Sequence, residues 1–173
     1  MPATYTLISS NVLSSSAASI TFSSIPATYT DLVVRVSARN GDSGGYGLLL
    51  LTINGDSAGN YSFTNLRGNG AAASSSQNSA VAAFQPHYID FSTNAANTFS
   101  SGEIYIPNYA VVMKKPISSF SVQEDNSAST AVNIGSTAGL YQGTTAITSL
   151  TLTSSNTNFV SGSSFYLYGI SSN

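Results

Sequence analysis

The chain has 173 residues, a formal net charge of −2, and only 7% charged residues, where a soluble domain usually carries about 25%. Five basic residues and a pI near 4.9 exclude the charge pattern of a nucleic-acid-binding protein, and the lack of cysteine excludes a disulfide framework. No apolar run approaches the roughly 18 residues of a membrane helix, and Met-Pro-Ala-Thr lacks the charged start of a signal peptide, so neither membrane insertion nor export is expected.

Strand patterns fill most of the chain. Leu32, Val34 and Val36 point one way while Val33 and Arg35 point the other, which is the two-residue period of a half-buried strand. Runs of this kind lie, in chain order, at 5–10, 19–25, 32–38, 46–53, 61–67, 88–91, 103–106, 117–123, 131–140, 147–153 and 164–170. Because no window has helical spacing, we predict one domain over residues 1–173, an antiparallel, jelly-roll-like β-sandwich of about ten strands.

One stretch does not follow the strand pattern. Residues 71–83 are almost entirely Ala, Ser and Asn, a low-complexity composition that we interpret as a mobile surface loop.

Two similar loop sequences, Asn40-Gly41-Asp42-Ser43-Gly44-Gly45 and Asn54-Gly55-Asp56-Ser57-Ala58-Gly59, flank the run at 46–53. Asn-Gly pairs supply the positive φ angles of tight turns, so we predict two turns. A calcium site shared by Asp42 and Asp56 is the alternative, but an intervening strand of eight residues would hold them more than about 20 Å apart. No metal site is therefore predicted.

Catalytic patterns are present only in fragments. Gly41-Asp42-Ser43-Gly44-Gly45 reproduces the segment around the nucleophile of chymotrypsin-like serine proteases, and Ser43, His87 and Asp90 are the residues from which a triad could be drawn. However, the histidine motif of those proteases is missing. Glu103, Glu124 and Asp125 are the acids nearest to strands, without the pairing that a glycosidase needs. We predict no catalytic residue, no cofactor and no enzyme activity.

Apolar residues exceed what a two-layer sandwich buries. Leu48-Leu49-Leu50-Leu51 is apolar on both strand faces, and aromatic residues stand on both faces of the run at 164–170. The second face could be covered by a loop of the same chain or by a neighbouring subunit, and the low charge favours the neighbour. The predicted contact residues for a subunit or a capsid are Leu48, Leu50, Tyr105, Tyr109, Tyr166 and Tyr168.

Four segments of the sequence resemble those of a known class of proteins: residues 25–32, residues 103–109, residues 146–152 and the segment Leu167-Tyr168-Gly169-Ile170. Together they resemble small Ser/Thr-rich virion structural proteins of tailed bacteriophages, especially marine ones. The resemblance implies a decoration or cement protein on the exterior of the virion head. The implied partners are the major capsid protein and further copies of the same chain, which would form a trimer. The alternative that it leaves open is a head-fibre or tail-fibre module that binds a host glycan.

Overall fold

The computed structural model describes residues 4–43, 47–126 and 132–171. Within these ranges the chain forms strands and turns without any helix, so the prediction of an all-β fold is confirmed, and no membrane-spanning helix is found there. The strands are β1 (Tyr5–Val12), β2 (Ser19–Phe22), β3 (Asp31–Ala38), β4 (Gly47–Ile53), β5 (Tyr61–Gly68), β6 (Ala73–Val81), β7 (Phe84–Ile89), β8 (Ser100–Ile106), β9 (Lys115–Gln123), β10 (Asn133–Tyr141), β11 (Leu150–Ser154) and β12 (Ser164–Ile170). They exceed the predicted number of about ten.

Two antiparallel sheets form a sandwich, as predicted. The large sheet has the order β1-β12-β3-β8-β9-β10-β5-β6, and the small sheet has the order β2-β11-β4-β7. In the pairs β1/β2, β3/β4, β7/β8 and β11/β12 the chain passes from one sheet to the other, which is the connectivity of a jelly roll. The remaining strands β5, β6, β9 and β10 extend the large sheet to twice the width of the small one.

The core lies between the two sheets and follows the two-residue period. Leu32, Val34 and Val36 of β3 point toward the small sheet and are buried. Leu49 and Leu51 of β4 point back toward them and are fully buried. Ala38 and Ile53 continue the same inward rows, and the intervening residues of both strands lie on the outer faces of the two sheets.

Residues 71–83 are not a loop. They contain β6, which pairs antiparallel with β5 from Ala73↔Gly68 to Val81↔Tyr61 and forms one edge of the large sheet. The expectation of a mobile loop was wrong because β5 offers a free edge, and backbone hydrogen bonding to that edge requires no apolar side chain. The strand is exposed along nearly its whole length, which explains its polar composition.

The backbone of β7 lies close over the inner face of the large sheet. Ser119 of β9 and Thr137 of β10 both donate hydrogen bonds to the Pro86 carbonyl, at 2.6 and 3.2 Å. Beside them Phe84 packs on Gly139, where a Cβ atom would stand only 2.2 Å from the ring. Small inward side chains such as Ser119 and Gly139 make room for β7, whereas the apolar side chains of Phe120 and Ile134 point outward.

The second predicted turn is present. Asn54 and Gly55 have φ angles of 53° and 71°, and the Asp56 amide donates to the Ile53 carbonyl at 3.0 Å. Two consecutive positive φ angles define a type I′ turn, which the Asn-Gly pair favours. The first predicted turn continues into residues 44–46, which lie outside the described residues.

Candidate interaction surface

The outer face of the large sheet is uncovered by any described part of the chain. Among the described residues, nine large apolar side chains are exposed, and six of them lie on this face: Tyr5, Leu7, Val12, Leu66, Phe120 and Ile134. The pairing register places them in neighbouring rows, as in the row Tyr166–Arg35–Glu103–Phe120–Ser136–Leu66 across six strands. An exposed sheet face with this many large apolar side chains marks an interaction site.

An aromatic cluster occupies the half of this face formed by β1, β12, β3 and β8. Arg35 lies 5.9 Å from the ring centroids of both Tyr5 and Tyr168, and these two rings meet edge to face at 6.3 Å. The Arg35 guanidinium also donates to Glu103 at 3.1 Å. Tyr166 completes the aromatic cluster, which we define as Tyr5, Arg35, Glu103, Tyr166 and Tyr168. The Arg35–Glu103 ion pair leaves the aromatic cluster itself without net charge.

An aliphatic groove occupies the other half, over β9, β10, β5 and β6. Its apolar side chains are Leu66, Phe120 and Ile134, which we use to define the groove, and its volume is about 470 Å³. Gly68 and Gly135 supply a floor without side chains, and the serines of β6 line one wall. Leu66 is 64% exposed, so the groove is open to a partner.

The other three exposed apolar side chains form an apolar loop, Val111–Val112–Met113, between β8 and β9. Val112 at its tip is 83% exposed. Below the tip, the Lys115 ammonium donates to the Val111 carbonyl, and the Met113 amide donates to the same oxygen at 2.9 Å. Burial lowers the pKa of Lys115.

Three of the predicted contact residues, Tyr105, Tyr166 and Tyr168, lie together on the outer face of the large sheet and are half-buried. The Tyr105 hydroxyl donates to Asp31 at 3.0 Å, and burial raises its pKa, as does the neighbouring Asp31 carboxylate. Tyr109 is fully buried, and its hydroxyl donates to the Pro26 carbonyl. It packs inside the sandwich, so it is removed from the set of contact residues.

Leu48 and Leu50 lie on the small sheet and are therefore separated from these tyrosines. Leu48 pairs with Tyr88 of β7, and both line a narrow cleft with Arg67 of the large sheet. Arg67 stacks on the Tyr88 ring at 5.3 Å and donates to its hydroxyl at 2.9 Å. The chain thus covers part of its own second face at Leu48, while Leu50 stays half-buried beside Thr153.

The sequence reasoning missed the aliphatic groove and the apolar loop. In residues 117–123 the order Ile-Ser-Ser-Phe-Ser-Val-Gln places Ser119 and Ser121 inside and Phe120 outside. Alternation shows that two faces exist but not which one is buried, and an apolar residue is normally assigned to the core. Only the position of β7 over the serines reverses that assignment. The run Val111-Val112-Met113 was an available signal, since three apolar residues after Pro107-Asn108 lie in a turn region.

Asp56 has a structural role that accounts for the second loop sequence. Its carboxylate accepts hydrogen bonds from the Ala58 amide, the Asn60 side chain and the Tyr141 hydroxyl, at 2.8 to 2.9 Å. These donors lower its pKa, with the Ala58 amide as the largest cause. Burial and the nearby Asp56 raise the pKa of Tyr141 to about 12. Asp42 accepts instead from Asn156 at 2.9 Å, and no group of three metal-ligating residues occurs in the described ranges.

The protease-like segment does not form a recognisable site among the described atoms. Ser43 is exposed, and Gly44, Gly45 and the His87 side chain lie outside the described part of the structure. Asp90 is fully buried and accepts from Asn94 at 2.6 Å, and desolvation raises its pKa. It faces the interior of the 90–99 loop, whereas Ser43 lies at the surface.

Arg39 organises the loop between β7 and β8. Its guanidinium donates to the Ala95, Thr98, Ser92 and Asn94 carbonyls at 2.7 to 3.1 Å, and the residue is only 9% exposed. This buried arginine therefore holds the loop in its conformation through hydrogen bonds to four of its carbonyl groups.

The three acids considered for glycosidase chemistry are dispersed. Glu103 is paired with Arg35, exposed Glu124 accepts from the Asn126 amide, and buried Asp125 accepts from the Ala95 amide. Each of the three carboxylates thus has a different partner, and they do not line a common cleft. Their observed partners are structural.

A scan against protein-family models finds no match to this chain, and searches of curated proteins and of solved structures find none either.

Proposed function

We propose that the protein is a structural subunit of a phage virion, a decoration or cement protein bound to the exterior of the head, and that it has no enzymatic activity. The outer face of the large sheet docks on neighbouring protein subunits, and the major capsid protein is the partner of the aromatic cluster. The observation that carries this proposal is the uncovered apolar and aromatic face, with six of the nine exposed large apolar side chains of the described residues.

The size of the face supports a protein partner. Eight strands about 4.8 Å apart span roughly 35 Å, and strands of seven to nine residues are about 25 Å long. The resulting area is close to the roughly 800 Å² per partner that a stable protein interface buries. Tyrosine, phenylalanine and arginine are the residue types enriched in such interfaces, and all three lie in the central row of this face.

The edges of the large sheet support the same proposal. It ends in β1 and β6, and neither strand contains a charged residue or a proline. Monomeric proteins commonly protect exposed edges with charged residues, proline or bulges, and of these β1 and β6 have only an irregularity in the pairing register of each strand. An edge without charged residues suits a subunit that works within a lattice, where neighbours limit access to it.

When many copies bind a repeated lattice, their weak contacts together give strong binding. Each docked subunit buries apolar area across a joint between capsid subunits, and contacts to two neighbours make the second binding event intramolecular. The function would therefore be mechanical: the bound layer resists the outward pressure of the packaged genome.

One observation favours a second candidate, a fibre module that binds a host glycan. The cleft beside Glu103 is lined by Tyr166, Tyr168 and Phe120, with Arg35 at its side. Aromatic walls with a few polar groups are typical of small-ligand sites. A glycan array probed with the purified protein would support this candidate by selective binding that Tyr166→Ala abolishes.

The number of copies per particle tests the proposal against this alternative. Quantitative mass spectrometry of purified particles of the virus that encodes the chain should give hundreds of copies relative to the portal protein. A handful of copies would indicate a fibre, and absence from purified particles would contradict a virion role altogether.

A further inference from the structure

We infer that the apolar loop Val111–Met113 of one copy inserts into the aliphatic groove of a second copy, which makes a head-to-tail contact between identical chains. The partner is a second copy of this chain, and the contact goes beyond the proposed function without resting on it. An apolar projection and an apolar groove on the same molecule are the two halves of such a contact.

The apolar loop is held in place by its own hydrogen bonds. The Asn108 amide donates to Asp31 at 2.9 Å, and the Val111 amide donates to the Asn108 carbonyl at 3.1 Å. Tyr109 anchors the loop in the core, and Lys115 donates to the Val111 carbonyl from below. A loop that is already ordered loses little entropy on binding, so its exposed apolar tip is suited to insertion.

The apolar loop does not fill the aliphatic groove of its own chain. The two lie apart along β9, since the loop precedes Lys115 at the start of the strand whereas the groove contains Phe120 and adjoins Val122. Five to seven residues of strand separate them by about 17 to 24 Å. Val112 is 83% exposed and Leu66 is 64% exposed, as expected when neither feature has a partner in its own chain.

Charge adjacent to both features favours a second copy as the occupant. Exposed Lys114 directly follows the loop, and exposed Glu124 lines the depression that continues the groove past Gly68 and Ile134. Insertion of the loop along the groove brings opposite charges together at its end. The groove volume of about 470 Å³ lies within the range of pockets that enclose small ligands, which is large enough for aliphatic side chains.

Engineered cysteines test this contact cleanly because the chain has no cysteine of its own. Val112→Cys and Ile134→Cys are made as separate variants, both at exposed positions, and are incubated alone and as a mixture in a glutathione redox buffer. A head-to-tail contact predicts disulfide-linked dimers in the mixture at least tenfold faster than in either variant alone. Ser19→Cys mixed with Ile134→Cys is the matched control, since Ser19 is exposed on β2 of the small sheet.

Equal rates in the mixture and the control would overturn the inference, as would Val112→Cys dimers that form as fast as the mixed ones. A charge exchange gives a second measurement. Lys114→Glu should raise the dissociation constant for self-association about fivefold, and the double variant with Glu124→Lys should restore it. Both experiments use purified protein without capsids, so failure here leaves capsid docking untouched, and failure of capsid docking leaves this contact untouched.

Discussion

A single carboxylate, that of Asp56, ties the turn after β4 to the large sheet. Its Oδ2 accepts from Asn60 and from Tyr141, while its Oδ1 accepts from the Ala58 amide. The Tyr61 hydroxyl donates to the Asp56 carbonyl at 3.0 Å and accepts from the Ile53 amide at 2.7 Å. One acidic residue thus fixes the end of a small-sheet strand against two large-sheet strands.

Asp56→Asn should therefore destabilise the protein by about 2 kcal/mol, because the new amide group presents donors to the donors of Asn60 and Tyr141. Urea unfolding monitored by fluorescence measures the change. Glu124→Gln is the control, since exposed Glu124 accepts a local bond from the Asn126 amide, and it should change stability by less than about 0.5 kcal/mol.

The same carboxylate predicts a pH dependence. The pKa of Asp56 is lowered in the folded protein, so its stabilisation is fully present above the unfolded value of about 3.9 and is lost as the pH falls through the folded value. Unfolding free energies of the wild type should thus fall below about pH 4. A decline of the same size in Asp56→Asn would contradict this assignment.

Arg39 supplies a third prediction at the residue scale. Arg39→Met should lower stability by about 3 kcal/mol, because it takes the guanidinium donor away from the buried Asn94 carbonyl and the part-buried Ser92 and Ala95 carbonyls. Arg35→Met is the matched control, because its ion pair with Glu103 is exposed and contributes at most about 1 kcal/mol. Thermal unfolding should separate the two by several degrees. Equal melting temperatures would show that the loop does not depend on Arg39.

At the scale of elements, the close approach of β7 to the large sheet depends on small residues. Gly139→Ala places a Cβ atom within 2.2 Å of the buried Phe84 ring, so we expect a loss of about 1 to 3 kcal/mol. Gly41→Ala is the control, because its nearest neighbour would be the Thr157 hydroxyl at 3.7 Å. Chemical denaturation of both variants checks the prediction, and a neutral Gly139→Ala would mean that β7 can move away.

The strand predictions succeeded where apolar alternation was strong and failed where backbone pairing decided the structure. Residues 164–170 form β12 as predicted, because Phe165 and Leu167 alternate with Tyr166 and Tyr168. Residues 73–81 form β6 although their side chains carry no apolar period, since the free edge of β5 decides their pairing. Composition can indicate flexibility but does not show which edge is available.

The candidate site was predicted in part, for a related reason. The tyrosines of β12 and β8 were identified from their alternation, and they do share the outer face. Leu48 and Leu50 were grouped with these tyrosines because the sequence of a strand with two apolar faces does not show to which sheet the strand belongs. The topology places Leu48 and Leu50 on the other sheet. Tyr109 was included for its residue type, and its burial beside Pro26 depends on a loop that the pattern does not specify.

At the scale of the whole molecule, the unequal widths of the two sheets explain the surface. The small sheet has four strands and the large sheet has eight, so β5, β6, β9 and β10 extend a jelly-roll sandwich on one side. The outer face gains the aliphatic groove, and the chain carries too few charges to keep this face from contact. We expect it to be the docking surface of a lattice-bound subunit.

Binding of purified protein to particles that have been stripped of it tests this expectation most directly. The wild type should sediment with the particles and saturate at hundreds of copies, and Tyr166→Asp in the aromatic cluster should reduce the bound amount at least tenfold. Ser19→Asp, exposed on the small sheet, should bind as the wild type does. Failure of the wild type to bind, or full binding by Tyr166→Asp, would contradict the assignment of the outer face as the docking surface.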